Sequence, residues 1–73
     1  MKRYSVLTIE TAQYKNHGFS GASRRNFDNY EAALNEVNYT NPVARKFNIL
    51  YVKAIKDNTT KEIIFIRNEE NEI

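Results

Sequence analysis

Two apolar runs in the C-terminal half set the strongest constraint on this chain. Lys46 to Lys56 and Lys61 to Arg67 are rich in β-branched and aromatic residues, and the polar tetrad "DNTT" at 57–60 separates them. Such a pattern predicts a β-hairpin closed by a four-residue turn. Pairing Lys56 with Lys61 places Leu50, Val52 and Ala54 on one face with Ile63 and Phe65. The other face then carries Tyr51, Lys53, Ile55, Ile64 and Ile66, because side chains alternate along a strand. Both faces are greasy, so the fold must cover two sides of the hairpin or leave one for another molecule.

The residues available to cover it are few. Asp28 followed by Glu31 has capping-box spacing, with Phe27 and Ala32 placed for a hydrophobic staple. Tyr30, Ala33, Leu34 and Val37 follow at i, i+3, i+4 and i+7, the single apolar stripe of an amphipathic helix. Asn41-Pro42 ends it, since the residue before proline is pushed out of the α region. About ten residues form a stable helix only by docking.

Tyr4 to Thr11, "YSVLTIET", alternates as a strand. Residues 14–26 show no apolar period and are expected as a mobile loop; 68–73 are expected as a frayed tail unless Ile73 folds back. The predicted fold is therefore α+β, one domain over 1–73, with the order β-α-β-β. Three mainly antiparallel strands carry one helix on one face. "EIIFIR" is apolar on both sides and is expected at the centre of the sheet, between the N-terminal strand and the first hairpin strand.

Chain length and composition sharpen the question of what covers the second face. Seventy-three residues lie near the lower limit for a self-sufficient core. Small folds often add a disulfide, a metal or a partner. There is no cysteine and only one histidine, so disulfides are excluded and no metal or other cofactor is expected. Association remains: a protein partner, a homodimer, or both. No apolar run is long enough for a signal peptide or a membrane span, and the expected location is cytoplasmic.

The net charge of +2 is small but uneven. Residues 1–30 hold five basic and two acidic side chains, and residues 31–73 hold six and seven. Basic character concentrates around "HGFSGASRRNF", residues 17–27, which contains both glycines and the histidine. Lys15, Phe19, Ser23, Arg24 and Arg25 there are candidate partner- or anion-binding residues, combining hydroxyls, fixed charge and a nearby helix N-terminus. The glycine spacing matches neither the dinucleotide fingerprint nor a P-loop. Its GxxG follows a strand, unlike the helix-flanked loop of KH domains.

No catalytic constellation is legible. His17 has no orienting acid or cysteine beside it, and Glu10, Asp28, Glu31 and Glu62 fall on separate elements. The expected function is non-catalytic protein–protein docking through Tyr51, Lys53, Ile55, Ile64 and Ile66. An inhibitor of a larger host assembly, encoded by a phage or mobile element, is one form, suggested by the Asn- and Lys-rich composition of an AT-rich genome or bacterial accessory protein. The alternative expectation is nucleic-acid or nucleotide binding at the basic segment 15–25.

Overall fold

The structure, a computed structural model, describes residues 2–72. It is an α+β domain with an antiparallel sheet, but with four strands instead of three and more than one helix. The elements are β1 (Tyr4–Glu10), α1 (Thr11–His17), β2 (Ser23–Phe27), α2 (Tyr30–Asn38), α3 (Pro42–Lys46), β3 (Tyr51–Asp57) and β4 (Glu62–Asn68). A 3₁₀ turn over Glu69–Glu72 follows. Sheet order is β2-β1-β3-β4, every neighbour antiparallel.

β1 and β3 occupy the centre. They pair along their full length, from Tyr4 opposite Asp57 to Glu10 opposite Tyr51. "EIIFIR" lies in β4, an edge strand, which corrects its expected central place. Apolar character on both faces did not locate it, because the longer ladder forms between β1 and β3. The opposite edge, β2, carries exposed Arg24 and Arg25; charged side chains on an edge discourage unwanted strand pairing.

The segment expected as a mobile loop is therefore ordered as most of α1 and β2. Gly18 ends α1 with φ 61° and ψ −136°, backbone open essentially to glycine, and its N–H returns to the Tyr14 carbonyl oxygen at 2.9 Å. α2 starts one residue later than the capping-box reading: Asn29, not Asp28, accepts from the Ala32 N–H at 2.8 Å. Pro42 follows the end of α2 but also opens α3 at its first turn. The Asn41 side chain there accepts from the Val43 and Ala44 N–H groups.

Val6 and Ile55 meet Ala33 and Val37 of α2 in the core, with Tyr4, Phe27 and Leu34 packed around them. Tyr4 and Tyr30 add an edge-to-face ring pair at 5.7 Å. Leu7, Ile9, Val52 and Ala54, set by register on the face away from α2, are buried too. α1 packs on β1 and β3, and the terminal 3₁₀ turn packs on β3. The terminal turn is held by Glu69, buried, whose Oε1 accepts from the Tyr51 N–H at 2.8 Å. The expected frayed tail is ordered through Glu72, and Ile73 lies outside the described residues.

Candidate functional site

The hairpin turn sets which face each residue of β3 and β4 occupies. Asp57 pairs with Glu62, leaving Asn58–Lys61 as the loop, and Lys61 adopts φ 67°. Asp57 Oδ1 accepts from the Thr59 N–H at 2.9 Å, and the Lys61 N–H returns to the Asp57 carbonyl oxygen at 2.7 Å. Farther along, the register shifts between Ile55 and Lys56, so that Phe65 faces Ile55 and Ile63 faces Lys56. Ile64 is the extra residue of this bulge. The Lys56–Lys61 pairing expected from sequence is thereby corrected, and in β3 the two faces exchange roles: Ile55, not Val52 and Ala54, meets α2.

Of the five residues expected on an open sheet face, Ile55 lies in the core under α2 and is fully buried. Lys53 is only 6 % exposed. It faces the end of α2, where its Nζ donates to the Tyr39 carbonyl oxygen at 2.6 Å and the Glu36 carbonyl oxygen at 3.4 Å. Burial lowers its pKa; the Glu69 and Glu36 carboxylates oppose the shift and Arg67 adds to it. Tyr51 is half-buried in a depression of about 310 Å³ shared with Thr8, Ser23, Arg25, Glu36 and Tyr39. Ile64 and Ile66 remain at the surface. With Ile63 and Phe65, which the sequence reading assigned to the helix-covered face, they form an apolar strip whose members are 36–49 % exposed. The signal was present in "EIIFIR", whose apolar residues on both sides suit an edge awaiting a neighbour as well as a central strand.

The basic segment is dispersed. Lys15 Nζ pairs with Glu70 Oε1 at 2.7 Å, and Phe19 packs at a tilt against Tyr14 with ring centroids 4.9 Å apart. Ser23 Oγ donates to the Thr8 carbonyl oxygen at 3.3 Å. Arg24 and Arg25 are consecutive in β2 and point to opposite faces. Arg25 turns toward α2, pairs with Glu36 at 3.1 Å and lies over the Phe27 ring. Arg24 stays on the other face without an acidic partner among the described residues.

Most of the remaining charge is structural. Arg67 forms a two-pronged pair with Glu72 and donates to the Val37 carbonyl oxygen and Thr40 Oγ1 at the end of α2. The hydrogen bonding between Arg67 and Glu72 raises the Arg67 pKa and lowers that of Glu72. At the far end of the sheet, the Thr59 N–H and then the Arg3 guanidinium hold Asp57 below the usual carboxylate range. His17 is exposed at the last position of α1. A depression of about 610 Å³ lies between α1 and the approach to β3 and is lined by Thr11, Ile49 and Leu50 among others; the buried Thr11 hydroxyl has no hydrogen-bond partner there.

Among the described residues no three or more His, Asp or Glu side chains cluster as metal ligands, and no helix is long and apolar enough to cross a membrane. No family model, curated protein or solved structure matches the chain. What the fold defines is a small α+β domain, its central strands covered on both sides and one apolar edge left open.

Proposed function

We propose that this protein is a non-catalytic interaction module that docks a protein partner on β4 by strand addition. The observation that carries the reading is the coincidence of an open sheet edge with four consecutive exposed apolar residues, Ile63 to Ile66. An edge strand offers unpaired backbone N–H and C=O groups, and natural sheets shield such edges with charge, proline or a covering segment. β2 is shielded in this way by its arginines, whereas β4 presents isoleucine and phenylalanine. Main-chain pairing would supply affinity, and contacts with alternate side chains would supply selectivity.

A second copy of the chain is one such partner, since β4 pairing antiparallel with itself about Phe65 would set Ile64 opposite Ile66. Inhibition of a larger assembly is the finer form of the same reading, suited to a protein that acts by occupying a surface.

The test places a photo-crosslinking residue at Ile66, and separately at Glu31 on α2, in the native cell. Adducts from position 66 and not from 31 support docking on β4, with adduct mass separating a homodimer from a foreign partner. Equal adducts from both positions, or none from 66, would remove it.

A further inference from the structure

Charge is partitioned unevenly over this surface. Arg3, Lys15, Arg25, Arg45 and Arg67 are ion-paired, and Lys53 is bound to backbone carbonyl groups. Lys2, Arg24, Lys46, Lys56 and Lys61 have no acidic partner among the described residues. All of these but Lys46 fall at one corner, on the face away from α2. Lys2, Arg24 and Lys61 line a cavity of about 460 Å³ together with Asn26 and Asn58. Lys56 stands beside it, opposite Ser5 in the β1–β3 ladder. No carboxylate lines the cavity.

A hydrogen-bond relay beneath the cavity fixes its polarity. Asn58 Nδ2 donates to the Lys2 carbonyl oxygen at 3.2 Å and to Ser5 Oγ at 2.9 Å. Ser5 is fully buried, and its single hydroxyl proton goes to Asn26 Oδ1 at 2.7 Å. The Asn26 carbonyl oxygen is therefore committed inward, and its Nδ2 group, which makes no hydrogen bond within the described residues, is left as a donor on an exposed side chain. Lys61 is held in the left-handed region at φ 67°, a conformation uncommon for a non-glycine residue and one that clusters at functional sites. Crowded like charge, a free amide donor and a preformed turn all favour an anion with several acceptor oxygens.

The geometry points to a phosphate-binding site at this corner, with Lys2, Arg24 and Lys61 supplying charge and Asn26 Nδ2 a directed hydrogen bond. The ligand is a phosphate group, either free or as part of a nucleic-acid backbone. The site lies across the sheet from Arg25 and does not use the segment 15–25 as a unit.

Titration of the ¹⁵N-labelled chain at low salt decides the matter, using inorganic phosphate in one arm and a short single-stranded oligonucleotide in the other, each against matched chloride. Saturable shifts of the Asn26 side-chain amide and of the Asn58 and Lys61 backbone amides are expected. Arg24→Gln or Lys61→Gln should weaken binding about tenfold, the loss of one charge-assisted hydrogen bond. Asn26→Asp keeps an acceptor for Ser5 but replaces the donor with an anion, and should abolish binding. Arg25→Gln makes the same net-charge change on the opposite face and should alter affinity less than about twofold. A nucleic-acid source shows tighter binding of the oligonucleotide and a salt slope that falls by about 0.7 in Arg24→Gln. A free-phosphate source shows equal affinity in both arms. Linear shifts without saturation, or equal loss from Arg24→Gln and Arg25→Gln in folded variants, would overturn the site.

Discussion

The Lys53 ammonium and the Tyr39 carbonyl oxygen meet at 2.6 Å, joining the middle of the sheet to the residue that closes α2. A helix leaves its last carbonyl groups without intrahelical donors, and its C-terminal end favours positive charge. Lys53 answers both needs from β3, and Arg67 answers them from β4 through the Val37 carbonyl oxygen. Two cations on neighbouring strands therefore tie the end of α2 to the sheet, in the same domain where its apolar stripe packs on Val6 and Ile55.

The lowered pKa of Lys53 gives a signed prediction. Its proton is held less tightly in the folded chain than in the unfolded one, so between the lowered value and about 10.5 the unfolded state binds more protons and stability rises with pH. Lys53→Met removes this titration. The urea midpoint of the wild type, measured relative to that of the variant, should climb as the pH rises from neutrality toward about 10.5. A difference that stays flat would show that the burial of Lys53 carries no penalty.

Ile55 and Ile66 belong to the same apolar pattern in the sequence but to opposite environments in the fold. Ile55→Ala opens a cavity among Val6, Ala33 and Val37 and should cost about 2–5 kcal/mol. Ile66→Ala removes atoms that are already half in water and should cost under about 0.5 kcal/mol in the isolated chain. Chemical denaturation of the two variants reads this contrast directly; equal losses would mean that the faces are misassigned.

That pair also shows what the sequence could and could not disclose. The α2 stripe, the hairpin and the N-terminal strand all follow from local periodicity, although the first hairpin strand starts at Tyr51 and not at Lys46, which ends the unforeseen helix α3. Strand order does not follow from periodicity, because Tyr4–Glu10 pairing with Tyr51–Asp57 is non-local and both candidate neighbours were apolar. The hairpin faces turned on a bulge at Ile64 and on the left-handed Lys61, neither of which has a glycine to announce it. α1 was hidden because "TAQYKNH" lacks a capping side chain and an apolar period, and it forms where Gly18 allows the chain to turn back. The corner formed by Lys2, Arg24, Asn26, Asn58 and Lys61 was not legible, since it is assembled from three distant segments.

Asp57 predicts acid sensitivity at the other end of the sheet. The Thr59 N–H and Arg3 hold its folded pKa below the unfolded value, so its stabilising contribution is complete above the ordinary carboxylate range and is lost as pH falls through the lowered value. Asp57→Asn retains an acceptor for Thr59 but loses the attraction to Arg3. The variant should be less stable than the wild type at neutral pH, and the two should converge on acidification. Thermal unfolding at a series of pH values measures the convergence, and parallel curves would assign the acid response to other carboxylates.

Arg67 closes the C-terminal end of the molecule. Its guanidinium reaches Glu72 through two nitrogens, at 2.7 and 2.8 Å, while a third donates to the Val37 carbonyl oxygen at 3.0 Å. A lysine carries the same charge but lacks the planar fork that serves these partners together. Arg67→Lys should therefore destabilise the chain by about 1–3 kcal/mol, the scale of losing hydrogen bonds to charged groups. The loss should be local as well as global. Amide exchange should speed up in Glu70–Glu72 and at Tyr39, which lie on either side of the guanidinium, and change less at Ser5 on the far part of the sheet. A lysine variant with wild-type protection in the terminal turn would show that Glu69 alone, through the Tyr51 N–H, secures that turn to β3.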